Sequence, residues 1–134
     1  MTDLEILIDK IHKYHRPSDI NDLCLKILKR TVYFFVIDDG SFSSLTEIVW
    51  TSKERPISIP TILNEGKMSG VLYLSKENAT EMKENNFRIA QMRGIKALEM
   101  MCKIKNLNEV IIQGKNAFVS VDCSEIERII NKFA

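Results

Sequence analysis

The chain has 134 residues, of which 45% are hydrophobic, and its 19 lysines and arginines nearly balance 18 aspartates and glutamates. A chain of this length fits one compact domain, whose core buries enough surface to be stable without a metal or disulfides. A formal net charge of +1 gives no electrostatic reason for binding a polyanion. We therefore expect a single domain over residues 1–134 with no nucleic acid among its partners.

Cysteine usage and the first residues predict the compartment. Cys24, Cys102 and Cys123 are an odd set without CxxC spacing, which argues against a disulfide framework and against a zinc site. No stretch approaches the roughly 20 apolar residues of a membrane span. The N-terminus is acidic and patterned like a helix, rather than basic and then apolar. We expect a cytoplasmic protein with no membrane partner, in which the cysteines serve as small apolar residues.

Two short amphipathic helices are predicted at the start of the chain. Thr2 and Glu5 have the spacing of a capping box. Apolar residues at helical spacing follow them: Leu4, Leu7, Ile8 and Ile11. A second helix is expected from Pro17, since proline is favoured in a first helical turn. Its apolar stripe comprises Ile20, Leu23, Cys24, Ile27 and Leu28.

From Thr31 onward the pattern predicts strands and helices in alternation. Residues 31–37 are β-branched or aromatic on both faces, as expected of a central strand. Further strands are expected at 57–63, 71–74, 87–92, 110–112 and 117–121. Further helices are expected at 75–84, at 94–103 and from Ser124, whose capping box includes Glu127. Pro60 has no N–H for a sheet ladder, so its strand either lies at a sheet edge or ends there.

The polar stretch 41–55 is predicted to contain a loop, a short strand at 48–50 and a turn. Apart from the short strand at 48–50, the order of elements is roughly ααβββαβαββα. An amphipathic helix and a half-apolar strand must each bury a face, and one sheet with helices packed on it satisfies both. We predict an α+β fold with one mixed, mostly antiparallel sheet.

Several apolar strands and turns carry a resemblance to a known family. They are residues 31–36, 71–77, 94–99, 107–113 and 118–119. Together they resemble the SseB N-terminal domain, named for enhanced serine sensitivity, over residues 18–130. The resemblance implies a stand-alone, single-domain bacterial protein of the cytosol, and it supplies no catalytic residues. The stretch 41–55 is longer than in the family, and the family's C-terminal extension is lacking.

His12 and His15 are the only histidines, and Asp9 lies one turn before them. These three residues have the types needed for a metal site, although zinc requires three or four inward ligands with supporting contacts. An exposed helix end before Pro17 explains both histidines equally well. We expect no metal at this position.

Cys123 is the cysteine whose position best suits chemistry, because a helix N-terminus just after it can lower the thiol pKa. Cys24 and Cys102 fall on apolar faces. A small enzyme that uses Cys123, or the His12/His15 pair, is therefore one alternative for the function. The competing interpretation is a cysteine that serves only as a small apolar residue.

Other patterns give no cofactor site. Asp38, Asp39 and Glu47 lack the spacing of a calcium loop, and Asp-Asp-Gly after a strand is ordinary turn chemistry. The five glycines stand singly, so there is no phosphate-binding loop. The basic residues 26, 29 and 30 suit the negative end of a helix dipole without a nucleic-acid partner. We expect neither a catalytic residue nor a cofactor.

A protein-binding surface is predicted near the only tryptophan. Asp38, Asp39, Phe42, Trp50 and Arg55 are close in sequence, and aromatic and arginine side chains on loops are common anchors of interfaces. A place in the core is the competing interpretation of Trp50. An acidic, aromatic patch would suit the basic active site of a nuclease.

The functional hypothesis is a non-catalytic protein that binds another protein, in its most concrete form a bacterial immunity protein that neutralises a cognate toxin. The main alternative is an SseB-like regulatory module linked to serine metabolism. A sheet edge near Pro60 could pair with a second copy, so a monomer and a homodimer are both compatible with the sequence.

Overall fold

The computed structural model describes residues 3–37, 61–64, 66–83, 87–104 and 106–133. Its helices are α1 (Asp3–Tyr14), α2 (Pro17–Leu28), α3 (Lys76–Met82), α4 (Gly94–Cys102) and α5 (Cys123–Phe133). Its strands are β1 (Thr31–Ile37), β2 (Ile62–Asn64), β3 (Lys67–Tyr73), β4 (Phe87–Arg93), β5 (Glu109–Gln113) and β6 (Phe118–Asp122). The α+β class is confirmed, and the predicted order of elements holds across the described residues. The strand predicted at 48–50 and residues 57–60 of the next one lie outside them. Within the described ranges, no helix has the length and apolar character that crossing a membrane requires.

The strands form one mixed sheet in the order β4-β1-β3-β5-β6. The β3–β5 pair is parallel, and the other pairs are antiparallel. Strand β5 pairs along one edge of β3. Two strands share the opposite edge of β3: β1 pairs with it at Tyr73, and β2 pairs with it at residues 67–69. The strand β2 therefore occupies the end of the sheet where β3 begins.

One face of the sheet carries the main core. Helices α1, α2, α4 and α5 contribute to this core with inward residues of the strands, among them Phe34, Leu72 and Ile112, which are fully buried. Strand β6 alternates as an amphipathic strand should, with Val119 and Val121 buried and its other residues exposed. On the opposite face, α3 places Ala79 against the aromatic pair formed by Phe35 and Tyr73.

Helix ends show where the predicted capping boxes differ from the structure. Helix α5 begins at Cys123, directly after β6, so Ser124 lies within the helix and not at the N-cap position predicted for it. Thr2 lies outside the described residues, while the carboxylate of Glu5 accepts a hydrogen bond from the backbone N–H of Lys115, at 2.8 Å. Helix α3 has a cap of its own, because Ser75 Oγ accepts from the backbone N–H of Asn78.

Candidate functional site

The predicted interface residues all lie outside the part of the chain that the structure describes: Asp38, Asp39, Phe42, Trp50 and Arg55. The described residues that flank them are Ile37 and Thr61. Tyr33 pairs with Tyr73 in an antiparallel ladder, so Ile37 lies toward the first residues of β3. Ile62 pairs with Ser69, near the same end. Both flanks therefore lie at the end of the sheet where β3 begins.

Strand β2 presents two apolar side chains to solvent at this end of the sheet. Ile62 is 47% exposed and Leu63 is 72% exposed, the largest value among the large hydrophobic residues described. Consecutive residues of a strand point to opposite faces, so both faces of β2 are open to water. Gly66 follows in the turn with φ +83°, and Lys67 begins β3 with an exposed side chain. We call Ile62, Leu63, Gly66 and Lys67 the hairpin surface.

A polar groove of about 460 Å³ adjoins the hairpin surface, and Lys67 belongs to both. Lys67 Nζ lies 3.4 Å from Asp122 Oδ1. Glu109 is buried in the wall of the groove and accepts a hydrogen bond from Ser69 Oγ at 3.1 Å. Glu125 lies at its rim and forms an ion pair with Arg128, which lowers the pKa of that carboxyl. The formal charge of these three carboxylates and two cations is −1.

The two histidines occupy the exposed C-terminal end of α1 and the turn that follows. His12 Nδ1 lies 3.3 Å from the carbonyl oxygen of Phe118, and the His12 ring meets the Phe118 ring edge-on at 5.9 Å. His15 takes a left-handed conformation, φ +54°, just before α2. Across the described residues, no three histidine, cysteine or acidic side chains converge as metal ligands would.

The basic residues near the end of α2 have local partners. Lys26 Nζ lies 3.5 Å from Asp22 Oδ2, one turn earlier in the helix. The Arg30 guanidinium donates a hydrogen bond to the carbonyl oxygen of Leu74, at 2.8 Å. Arg30 therefore joins the end of α2 to the end of β3, in addition to the favourable effect of cations at this end of a helix.

The three cysteines lie on three helices that pack together: Cys24 in α2, Cys102 at the end of α4 and Cys123 at the start of α5. The thiols of Cys102, at the end of α4, and Cys123, the first residue of α5, interact, and this interaction is the largest influence on the pKa of each. It raises the pKa of Cys102 and lowers the pKa of Cys123, while burial raises both. Burial raises the pKa of Cys24 to about 12. Sequence reasoning selected Cys123 but missed Cys102, because no spacing motif connects two residues so far apart in the chain.

Comparisons with protein-family models, with curated proteins and with solved structures gave no match to this chain. The resemblance to the SseB N-terminal domain stays a prediction, as does the function that it implies.

Proposed function

We propose that this chain is a non-catalytic protein-binding protein whose partner docks on the hairpin surface. In its most concrete form, it is a bacterial immunity protein that neutralises a cognate toxin by direct binding. The observation that carries the proposal is the exposure of Ile62 and Leu63 on opposite faces of one short strand.

The exposed apolar side chains of β2 are available for contact with another protein. Burial drives folding in proportion to the apolar area removed from water, and Leu63, 72% exposed, contributes little of it. A single exposed hydrophobic residue is ordinary on a protein surface, whereas two in succession leave both faces of this strand available to a partner that pairs with its edge. Within the described chain, β2 pairs with β3 alone, so its outer edge can also supply backbone hydrogen bonds to a partner.

Charge beside the hairpin surface supports a basic partner. The adjoining groove is lined by three carboxylates, Glu109, Asp122 and Glu125, and by one cation, Lys67. In the sequence, Asp38 and Asp39 directly follow Ile37 and add two more carboxylates. Complementary charge speeds association and excludes wrong partners. A toxin with a cationic active site, such as a nuclease, fits this description.

Co-expression with the product of the gene immediately upstream tests the proposal. We expect the two proteins to co-purify through a tag on either one and to elute together in size-exclusion chromatography. We also expect this chain to abolish the toxicity of its neighbour. Size-exclusion chromatography of this chain alone shows whether it is a monomer or a homodimer, and β2 is the strand that would pair in a homodimer.

Two results would overturn the immunity function. The first is a neighbour that is harmless when expressed alone. The second is a toxic neighbour that gives no complex and stays toxic in the presence of this chain. A deletion strain with altered serine tolerance would then favour the regulatory module.

A further inference from the structure

Strand β6 is an edge strand, since it pairs with β5 alone within the described residues. Two backbone hydrogen bonds extend the β5–β6 ladder beyond its two ends. The Gly114 N–H donates to the carbonyl oxygen of Ala117, at 2.8 Å. The Cys123 N–H donates to the carbonyl oxygen of Asn108, at 3.0 Å. Each bond joins two residues that continue the register of the ladder, so the two bonds show which pairs of the ladder are hydrogen-bonded.

The backbone groups of every second residue in β6 point away from β5. Hydrogen-bonded pairs alternate with non-hydrogen-bonded pairs along an antiparallel ladder. Counted from the two flanking bonds, Val119 and Val121 bond to β5, while the N–H and C=O groups of the exposed residues 118, 120 and 122 point outward. His12 Nδ1 meets the carbonyl oxygen of Phe118 on this outer side. The N–H and C=O of Ser120 bond to no described residue, so they form an open edge.

The groove of about 460 Å³ lies beside this open edge. Its walls include Ser120 and Asp122 of β6, Ile20 of α2 and Glu125 of α5. Ile20 is partly buried against the main core and adds apolar surface, whereas Ser120 and Asp122 are exposed on the opposite face of the sheet. An extended chain in the groove therefore has its side chains alternately on the Ile20 side and on the Asp122 side.

Charge in the groove favours a basic occupant. Three carboxylates line it, Glu109, Asp122 and Glu125, together with Lys67. The ion pairs of Asp122 with Lys67 and of Glu125 with Arg128 are exposed, so they contribute little energy and leave both carboxylates available to a further cation. A second copy of this chain would bring an identical, net negative groove to the contact, so like charges would oppose the pairing.

We propose that the outer edge of β6 binds an extended, basic segment of a partner protein as an additional strand. Ser120 supplies one backbone donor and one backbone acceptor, and the main chain of the segment supplies the matching groups. A lysine or arginine of the segment lies beside Asp122, and an apolar residue lies beside Ile20. The inference rests on the proposed function only for the protein that supplies the segment.

Amide hydrogen exchange of the free protein, followed by nuclear magnetic resonance, tests the edge itself. We expect the N–H groups of Val119 and Val121 to exchange slowly because they bond to β5. The N–H of Ser120, between them, should exchange at least about tenfold faster. Equal protection of all three would show that the edge is already occupied in the folded chain, and it would overturn the proposal.

Selection of random peptides displayed on phage, with the intact protein as bait, tests the occupant. We expect the enriched peptides to alternate apolar and basic residues and to bind Ser120→Pro at least about tenfold more weakly than Ser120→Ala. Both variants lose the hydroxyl, but only proline removes the N–H, which the ladder with β5 does not use. Enrichment of acidic peptides, or equal affinity for the two variants, would overturn the proposal.

These tests are independent of the proposed toxin. They use this chain and peptides without the neighbouring gene product, so they decide the inference whether or not the immunity function holds. A homodimer that dissociates in Ser120→Pro would assign the edge to a second copy and overturn the proposal. Because amide exchange uses the wild-type chain, it remains decisive if Ser120→Pro fails to fold.

Discussion

Gly94 lies directly against the backbone of Ile27: a Cβ on Gly94 would be 1.8 Å from the Ile27 carbonyl oxygen. Gly94 also donates its N–H to the carbonyl oxygen of Arg30, at 2.7 Å. The first turn of α4 therefore packs on the end of α2 only because residue 94 has no side chain.

We expect Gly94→Ala to destabilise the protein by at least ~3 kcal/mol, because backbone, and not a flexible side chain, must move to admit the methyl group. The control is Gly66→Ala, where no atom of the described residues lies within 4 Å of a Cβ but φ is +83°. Its cost should be about 1 kcal/mol, from the left-handed conformation alone. Chemical unfolding followed by circular dichroism measures both. Equal costs at the two positions would contradict the packing of α4 on α2.

Glu5 connects α1 to the turn between β5 and β6 through its hydrogen bond from the Lys115 N–H. We expect Glu5→Ala to lower the free energy of unfolding by about 1 kcal/mol. Glu5→Gln keeps an acceptor oxygen and should cost less than half of that. The same unfolding experiment distinguishes the two variants. Wild-type stability in Glu5→Ala would show that this contact contributes nothing in solution.

The hydrogen bond from Ser69 to Glu109 should stabilise the sheet between β3 and β5. Both residues are buried, and removal of the hydroxyl leaves a buried carboxylate with one donor fewer. We expect Ser69→Ala to cost about 1–3 kcal/mol at neutral pH. Ser120→Ala, at an exposed position of the same sheet, should change stability by less than about 0.5 kcal/mol. Wild-type stability in Ser69→Ala would show that water replaces the hydroxyl at Glu109.

Stability should fall at alkaline pH because of Cys24. Burial raises the pKa of this thiol from 9.0 to about 12. The contribution of this thiol to the free energy of unfolding is complete below its pKa in the unfolded chain. It is lost as the pH rises from there toward the pKa in the folded protein, because over that range only the unfolded chain releases the proton. Between pH 8 and 10.5 we expect a loss of about 2 kcal/mol from this group, absent in Cys24→Ala. Parallel pH dependences in the two proteins would contradict this burial.

Hydrophobic periodicity was sufficient to predict the order and type of the elements. Apolar residues at helical spacing located α1 and α2, and two apolar runs on either side of a four-residue connection located β5 and β6. The beginning of β3 was missed: residues 67–70 look like a turn, yet they extend the strand because β2 pairs with residues 67–69 and β5 pairs with residues 69 and 70. The parallel pairing of β3 with β5 depends on contacts between distant segments, which local patterns do not encode.

The candidate sites were less predictable than the fold. An apolar pair such as Ile62 and Leu63 predicts a strand, but only its tertiary neighbours decide whether either side chain is buried. The position of Cys123 near a helix start was visible in the sequence. Its contact with Cys102 was not, because it follows from the packing of α4 on α5.

Leu63 is the residue that we propose to be at the centre of the contact with a partner protein. The most direct test is the dissociation constant of the complex with the upstream gene product, for wild type and for Leu63→Glu. The control is Met82→Gln, which changes another exposed apolar residue, 50% exposed, on α3. We expect Leu63→Glu to fold with wild-type stability and to weaken binding more than about tenfold, and Met82→Gln to bind normally. Wild-type affinity in both Leu63→Glu and Ile62→Ser would contradict the account.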